Sequence, residues 1–412
     1  MLRPILWLLG LALVLAAAWV HGLTATAGDS MATLYALWLF VPAPVVYLWQ
    51  GLQPWRNPWR RLGRGYLGLS LALSLAVLGG VGWLGSERTI HPKPSADEPK
   101  LEDYALPAQR IEFTAPDGTR RVGWFIPGSD PTPSDAVAAG FIPQDGSQPR
   151  IPQDGSQPRI PQDGPQPRIP QDGSQPRIPQ DGPQPRTSPR PTVLLLSGYG
   201  GSKAGMLRQA NLLHERGYNT LLFDFRNRGE SEGDAVTLGY YEQDEALAAL
   251  AYLKTLPEVD PKRIGVLGAS MGAATAIMAA AKSDDLRAVV ADSPFKSAGS
   301  VVAQSFEHFI SLPPFPYAPI TLQFVAWRTG ITPSHLVPLE VVDRISPRPL
   351  LLVHGTADTS INYEASQALY AQAREPKELW LIPDIGHTQG AQKVPEEYAA
   401  RIGAFFDRWL RP

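Results

Sequence analysis

Apolar and polar residues alternate along residues 110–412 in a pattern that predicts strands followed by helices. Short, nearly continuous apolar runs predict strands, and the segments between them with one apolar face predict helices. The predicted strands are residues 110–114, 121–126, 192–196, 218–225, 263–267, 286–291, 348–353 and 378–382. The predicted helices are residues 201–216, 238–255, 271–282, 362–373 and 394–410. Apolar strands that alternate with helices indicate a mostly parallel central sheet covered by helices on both faces.

Two places depart from this alternation. Pro116, Asp117 and Gly118 form a turn sequence between the first two strands, which predicts an antiparallel hairpin at the edge of the sheet. Residues 296–340 follow the sixth strand and are rich in prolines and aromatic residues, which predicts a small cap over the site.

The first 85 residues are far more apolar than the rest of the chain. Residues 4–20, 31–49 and 66–84 contain almost no charged side chains, and each stretch is near the length that crosses a hydrocarbon core. We therefore predict a membrane anchor of about three transmembrane helices at 1–85, a linker at 86–109 and a catalytic domain at 110–412. Buried core helices are the alternative, but tryptophans near the ends of the stretches suit a lipid interface better.

The charge of the short loops predicts the orientation in the membrane. The loop after the second stretch carries Arg56, Arg60, Arg61 and Arg64. By the positive-inside rule this loop is cytoplasmic, which places the catalytic domain on the non-cytoplasmic side. A cleaved signal peptide is the alternative for the first stretch, with the small residues 25–27 as its cleavage site.

A nine-residue repeat interrupts the catalytic domain. The unit I-P-Q-D-G-[SP]-Q-P-R occurs five times between Ile142 and Arg186. So many prolines and glycines bury too little apolar area to offset the entropy of ordering, which predicts a disordered insertion at about 128–190. Because predicted strands lie on both sides of it, the repeat interrupts one domain and does not separate two.

The overall composition excludes several functional classes. The net charge is −2, so no basic surface indicates a nucleic-acid partner. The chain has no cysteine, and its seven histidines show no metal-binding spacing. We therefore expect neither a metal nor an organic cofactor.

The strongest chemical signal is the sequence Gly268-Ala-Ser-Met-Gly272, at the junction between a predicted strand and a predicted helix. A G-x-S-x-G motif in this context forms a sharp turn that exposes the serine hydroxyl, which predicts Ser270 as a nucleophile. A serine needs a base, and His387 follows the last predicted strand, where that base is expected. The acid that orients the histidine is predicted to be Asp358, after the preceding strand, with Asp384 as its rival.

Negative charge on a tetrahedral intermediate needs two N–H donors. The expected donors are the backbone N–H groups of Met271, which follows the serine, and Tyr199, in the glycine-rich loop after the third strand. Since no G-K-[ST] follows that loop, nucleotide binding is not expected.

These motifs resemble those of the α/β-hydrolase superfamily over about residues 110–412, near its serine aminopeptidase and prolyl-oligopeptidase-like branch. The matching segments are Ser197-Gly-Tyr-Gly-Gly201, Asp224-Phe-Arg-Asn-Arg-Gly-Glu-Ser231, Gly268-Ala-Ser-Met-Gly272, His354-Gly-Thr-Ala-Asp358 and Gly386-His387. The resemblance implies the α/β-hydrolase fold and a Ser-Asp-His triad. Ser197 replaces the usual histidine of the first segment, and Asn227 replaces a common glycine of the second.

The expected activity is hydrolysis of a carboxylic ester through an acyl-serine intermediate. Peptidase or amidase action is the first alternative, because the same triad cleaves amides. A non-catalytic membrane-bound binding protein is an alternative of another class. The expected partners are a small-molecule or peptide substrate and the lipid bilayer.

Overall fold

The computed structural model of the protein describes residues 59–96, 98–129 and 188–411. The predicted spans at 4–20 and 31–49 lie outside these residues, as does nearly all of the predicted insertion with its nonapeptide repeat.

Within the described residues, eight strands form one sheet. They are β1 (Gln109–Thr114), β2 (Arg120–Ile126), β3 (Arg190–Leu196), β4 (Asn219–Phe223), β5 (Val259–Ala269), β6 (Leu286–Asp292), β7 (Leu350–Gly355) and β8 (Lys377–Ile382). Their order in the sheet is β1-β2-β4-β3-β5-β6-β7-β8. β2 pairs antiparallel with β1 and β4, and the remaining pairs are parallel. The prediction of a mostly parallel sheet with an antiparallel hairpin at one edge is confirmed.

The helices lie between and beyond these strands. They are α1 (Trp59–Ile90), α2 (Leu207–Glu215), α3 (Glu242–Leu253), α4 (Met271–Lys282), α5 (Ala298–Ser305), α6 (Pro314–Thr329), α7 (Glu364–Gln372), α8 (Gly390–Lys393) and α9 (Pro395–Leu410). α3 begins four residues later than the predicted helix at 238–255. The Glu242 carboxylate accepts hydrogen bonds from the N–H groups of Thr237 and Gly239, at 2.7 and 2.8 Å, so the chain before it forms a turn.

Side chains from the two faces of the sheet belong to two separate cores. In β3, Leu194 and Leu196 pack in the core that includes α3, α4 and α7. Val193 and Leu195 pack in the other core, with α2 and α9. All four leucine and valine side chains are fully buried. Because successive side chains of a strand point to opposite faces, a run of four apolar residues fits a strand that is covered on both sides.

The third predicted membrane span, at 66–84, lies within α1. Its second half packs against α6 of the cap. A Cβ atom at Gly82 would lie only 2.5 Å from Cγ2 of Ile320, and one at Gly85 would lie 2.6 Å from Oγ1 of Thr321. Arg328 on α6 forms an ion pair with Glu87 on α1. The small residues of α1 thus allow close contact with protein.

In the part of the chain that the structure describes, no helix is both long and apolar enough to cross a membrane. The prediction of a membrane span at 66–84 is therefore not supported. Leu78 and Val81 of this stretch pack against the apolar cluster of the cap, whereas Leu75, Trp83 and Leu84 are exposed.

The residues after α1 run along the catalytic domain. Ile90, the last residue of α1, is 3% exposed and packs with the cap. The Ser95 N–H donates to the Gly200 carbonyl at 3.0 Å, and Glu98 accepts hydrogen bonds from the backbone and side chain of Ser202. The stretch predicted as a linker at 86–109 therefore contacts the glycine-rich loop after β3.

The two ends of the insertion lie together. The Arg190 guanidinium donates to the carbonyls of Gly128 and Ser129, at 2.6 and 2.7 Å. Residues 128–129 and 190 are thus joined directly where the insertion leaves and re-enters the domain.

A buried ion pair joins the hairpin to the rest of the domain. Arg121 on β2 lies 2.7 Å from the Glu245 carboxylate on α3, and the two side chains are 0% and 2% exposed. Arg121 also donates to the Glu232 carbonyl at 3.0 Å, and Glu245 accepts from the Arg226 N–H at 3.0 Å. The pair therefore holds β2, α3 and the loop at 226–233 together.

Removing one partner of this pair should destabilise the domain strongly. We expect Arg121→Ala to lower the free energy of unfolding by about 3–5 kcal/mol, because Glu245 would remain buried without its closest cationic partner. Urea denaturation followed by circular dichroism measures the change.

Arg110→Ala is the matched control, because Arg110 lies on the adjacent strand and its ion pairs with Glu112 and Glu230 are exposed. It should change stability little. Equal losses in the two variants would show that the buried pair has no special role.

Candidate active site

Ser270 lies at a sharp turn between β5 and α4. Its backbone angles, φ 55° and ψ −116°, are strained for a residue with a side chain. The Ser270 N–H donates to the Asp292 carbonyl at 2.8 Å, which helps to hold this conformation. This backbone conformation places the Ser270 hydroxyl at the carboxyl end of the sheet.

Two glycines make the turn sterically possible. A Cβ atom at Gly268 would lie 2.1 Å from the Gly272 carbonyl oxygen, and one at Gly272 would lie 2.1 Å from the Leu196 carbonyl oxygen. Neither position has room for a side chain. The G-x-S-x-G spacing therefore reflects backbone packing around the serine.

The structure brings Ser270, His387 and Asp358 together. Ser270 Oγ lies 2.8 Å from His387 Nε2, and His387 Nδ1 lies 2.6 Å from Asp358 Oδ2. In this arrangement the hydroxyl donates to the imidazole, and the imidazole donates to the carboxylate. Such an arrangement lets the imidazole take the serine proton while the carboxylate stabilises the imidazolium.

Asp358 is held in its ionised form. Burial alone would raise its pKa, but hydrogen bonds from His354, His387 and the Ile361 N–H more than offset this effect and hold the pKa well below its usual value. The Ile361 N–H lies 2.9 Å from Oδ1. The carboxylate is therefore charged at any pH near neutrality.

The rival acid, Asp384, is exposed and lies elsewhere. Its N–H donates to Thr356 Oγ1 at 3.0 Å. Among the described contacts, its carboxylate makes no hydrogen bond with His387. The structure therefore brings Asp358 to the histidine and leaves Asp384 outside the triad.

The two predicted oxyanion donors lie beside the serine. Met271 is the first residue of α4, where backbone N–H groups have no partner within the helix. A Cβ atom at Gly198 would lie 3.3 Å from the Ser270 Cβ, so the Gly198-Tyr199 backbone passes close to the nucleophile. The Tyr199 hydroxyl donates to the Arg88 carbonyl of α1. The helix before the catalytic domain thus contacts the loop that carries one of these donors.

An apolar cavity of about 340 Å³ adjoins Ser270 and His387. Its wall includes residues of the cap, of α1 and of the loop that follows β6. The apolar residues include Leu238, Phe295, Val302, Phe306 and Ile310. Gly85, Arg88 and Thr89 of α1 also line the cavity.

Two further polar residues lie near the triad: His354, which begins one of the matching segments, and Asp292, which sequence reasoning missed. His354 is fully buried and lies 3.2 Å from Asp358 Oδ2, so it is a second neighbour of the acid. Asp292 is buried at the end of β6, and it accepts hydrogen bonds from Ser293 and Tyr398, both at 3.0 Å. Burial raises the pKa of Asp292. An acidic residue directly after an apolar strand was the available signal.

Among residues 59–96, 98–129 and 188–411, no group of three or more His, Asp or Glu side chains is arranged to bind a metal ion.

Comparison with known proteins agrees with this geometry. The sequence profile of the prolyl oligopeptidase family matches residues 206–412, which include Ser270, Asp358 and His387. The chain belongs to this family.

Individual relatives extend the comparison. YqkD of Bacillus subtilis is 29% identical over 218 residues, which are 52% of this chain and 71% of that protein. YfhR of Escherichia coli is 27% identical over 282 residues, 68% of this chain and 73% of that protein. The structure of the Pyrococcus furiosus esterase Pf2001 matches with a TM-score of 0.53 and 26% identity, over 77% of this chain and 99% of its own. The protein is a serine hydrolase with the α/β-hydrolase fold.

Replacing the acid should test the triad directly. We expect Asp358→Asn to lower kcat on an ester by about 10³- to 10⁴-fold, because an amide cannot stabilise the imidazolium. Steady-state kinetics with p-nitrophenyl butyrate measures the loss.

Asp384→Asn makes the same chemical change on the loop that carries His387, and it should leave kcat within about twofold of wild type. If Asp384→Asn were the more damaging substitution, the acid would have to be reassigned.

Proposed function

We propose that the protein hydrolyses carboxylic esters through an acyl-serine intermediate. Ser270 Oγ attacks the ester carbonyl while His387 takes its proton, and the N–H groups of Met271 and Tyr199 bind the oxyanion. The alcohol leaves with the proton from His387. Water then attacks the acyl-serine by the same route and releases the acid.

The apolar cavity beside Ser270 is the observation that carries this proposal. Phe295 and Phe306 are each 2% exposed, and they line a space of about 340 Å³ next to the nucleophile. Apolar walls favour an apolar acyl chain, because burying that chain removes its surface from water.

The charges around the nucleophile favour an ester over a peptide. A peptidase that acts at an amino terminus needs a carboxylate for the substrate ammonium. Among the described residues that line the apolar cavity, none is acidic. Glu98 lies nearby, but its two oxygens accept hydrogen bonds from the Ser202 N–H and hydroxyl, both at 2.5 Å. Peptidase or amidase action therefore stays the second candidate, which the family includes.

The nucleophile and the bond type can be tested together. We expect Ser270→Ala to abolish labelling by a fluorophosphonate probe and to lower ester turnover by at least about 10³-fold. The wild-type protein should hydrolyse p-nitrophenyl butyrate and octanoate faster than aminoacyl p-nitroanilides. A non-catalytic binding protein would neither be labelled nor turn over any of these substrates.

Ser283→Ala is the control, because Ser283 follows the far end of the same helix. It should be labelled and active like wild type. Faster turnover of the anilides would move the assignment to a peptidase or amidase.

We also propose that the apolar stretches at 4–20 and 31–49 attach the protein to a membrane. Their length and lack of charge support attachment. Placement of the catalytic domain on the non-cytoplasmic side requires a further crossing by residues 66–84, the stretch that packs on the cap.

An alkaline phosphatase fusion after Pro412 tests the side of the membrane. An active alkaline phosphatase fusion would support a third crossing, because this reporter works only after export. If instead only a reporter that works in the cytoplasm is active at the same position, the non-cytoplasmic placement is wrong. Extraction of the protein by alkaline carbonate would contradict attachment itself. Sequencing of the mature amino terminus distinguishes an anchor that starts at Met1 from a signal peptide cleaved near residue 27.

A further inference from the structure

A second cavity of about 500 Å³ also reaches Ser270 and His387. It shares Tyr199 with the apolar cavity, but its other walls come from different elements. The polar residues on these walls include Ser95, Glu98, Ser197, Arg208, Gln209 and Gln392. The nucleophile therefore lies between one apolar and one polar space.

Two buried oxygen atoms on the polar wall have no hydrogen-bond partner among the described residues. They are Oγ of Ser197 and Oε1 of Gln209, on side chains that are 1% and 6% exposed. A buried polar atom without a partner costs folding free energy, so such atoms in a native protein call for an explanation. Gln209 Oε1 is a hydrogen-bond acceptor, Ser197 Oγ can accept as well as donate, and both belong to residues that line the same cavity next to the nucleophile.

The hydrogen bond between Gln209 and Tyr398 indicates which atom of the Gln209 amide has no partner. Gln209 donates to the Tyr398 hydroxyl, and this hydroxyl donates to Asp292 at 3.0 Å. The amide nitrogen is therefore engaged, and the carbonyl oxygen is the atom left to accept a hydrogen bond. Because Tyr398 is fully buried and bonded to Asp292, Gln209 is held in this orientation.

The charges of this cavity do not favour an ionic group. Arg208 and Glu98 have opposite signs, and the Glu98 carboxylate is already bonded to Ser202. An uncharged group that donates several hydrogen bonds fits these walls. Hydroxyl groups supply such donors.

We infer that the natural substrates are esters of a polyhydric alcohol with an apolar acid. This inference rests on the proposed ester hydrolysis and adds the identity of the alcohol. The acyl chain lies in the apolar cavity, and the alcohol lies in the polar cavity, where its free hydroxyls donate to Ser197 Oγ and Gln209 Oε1. Attack by Ser270 breaks the ester C–O bond, the alcohol oxygen takes the proton from His387, and water later releases the acid.

Four octanoate esters test this inference, because they share one acyl group and differ in the alcohol. They are 1-octanoylglycerol, methyl 6-O-octanoylglucoside, ethyl octanoate and p-nitrophenyl octanoate. We expect kcat/KM for at least one polyol ester to exceed that for the ethyl ester by at least about tenfold, because a site with unpaired acceptors disfavours an alcohol without donors. The ranking of the glycerol and sugar esters identifies which polyol the cavity takes.

Two variants should remove this preference. Ser197→Ala and Gln209→Met should each lower the ratio of polyol ester to ethyl ester by about tenfold while ethyl octanoate is still hydrolysed. Ser197→Ala should not lower Tm, since it deletes a buried hydroxyl that has no partner. This variant keeps the test decisive even if Gln209→Met, which also loses the bond to Tyr398, is unstable.

Thr220→Val is the matched control. Thr220 Oγ1 is also buried and has no partner within the part of the chain that the structure describes, but Thr220 lies on β4 and lines neither cavity. It should keep the wild-type preference. An equal loss of preference in Thr220→Val would overturn the assignment of the polar cavity.

The remaining outcomes separate the two proposals. If p-nitrophenyl octanoate is hydrolysed but the ethyl ester is as good a substrate as both polyol esters, the inference about the alcohol is wrong and ester hydrolysis stands. If no octanoate ester is hydrolysed and the fluorophosphonate probe does not label Ser270, ester hydrolysis itself is wrong.

Discussion

The active site depends on the close contact between three backbone segments around Ser270. The end of β3, the turn after β5 and the first turn of α4 meet at Gly268 and Gly272, where even one extra carbon atom would lie 2.1 Å from a carbonyl oxygen. This contact fixes the strained serine at the end of the sheet. It also brings the glycine-rich loop after β3 beside the nucleophile, so the same packing positions both the attacking oxygen and the expected oxyanion donors. The two cavities then differ in polarity according to which elements line them.

Much of the catalytic domain could be predicted because its signals are local. Apolar runs such as 192–196 indicate strands that are covered on both faces, and the strand-turn-helix context of Ser270 restricts where the histidine and the acid can follow. The acid could be predicted as Asp358, because this fold places it after the strand that precedes the histidine loop, and the structure brings Asp358 and not Asp384 to His387. Buried Asp292 carries no motif of its own, and only the fold brings it near the triad. His354, in contrast, begins the segment that ends at Asp358.

The role of α1 was beyond sequence reasoning for a physical reason. An apolar helical face has the same composition whether lipid or another helix covers it, so residues 66–84 predicted a membrane span. In the structure, Gly82 and Gly85 face the cap helix α6, and the Tyr199 hydroxyl bonds to the Arg88 carbonyl. Residues of α1 also line the apolar cavity. The boundary of the functional unit therefore lies before α1, and a fragment that starts at β1 would lack part of the active-site wall.

The contact between Arg190 and the carbonyls of Gly128 and Ser129 bears on how the repeat came to be there. Since the two ends of the insertion are joined at its base, the flanking strands keep their positions whatever the length of chain between them. Each unit has nine residues, so slippage during DNA replication adds or removes whole codons and preserves the reading frame. A gain or loss of whole units therefore leaves the codons of the catalytic residues in frame, and the same base is a site where a foreign sequence could be grafted.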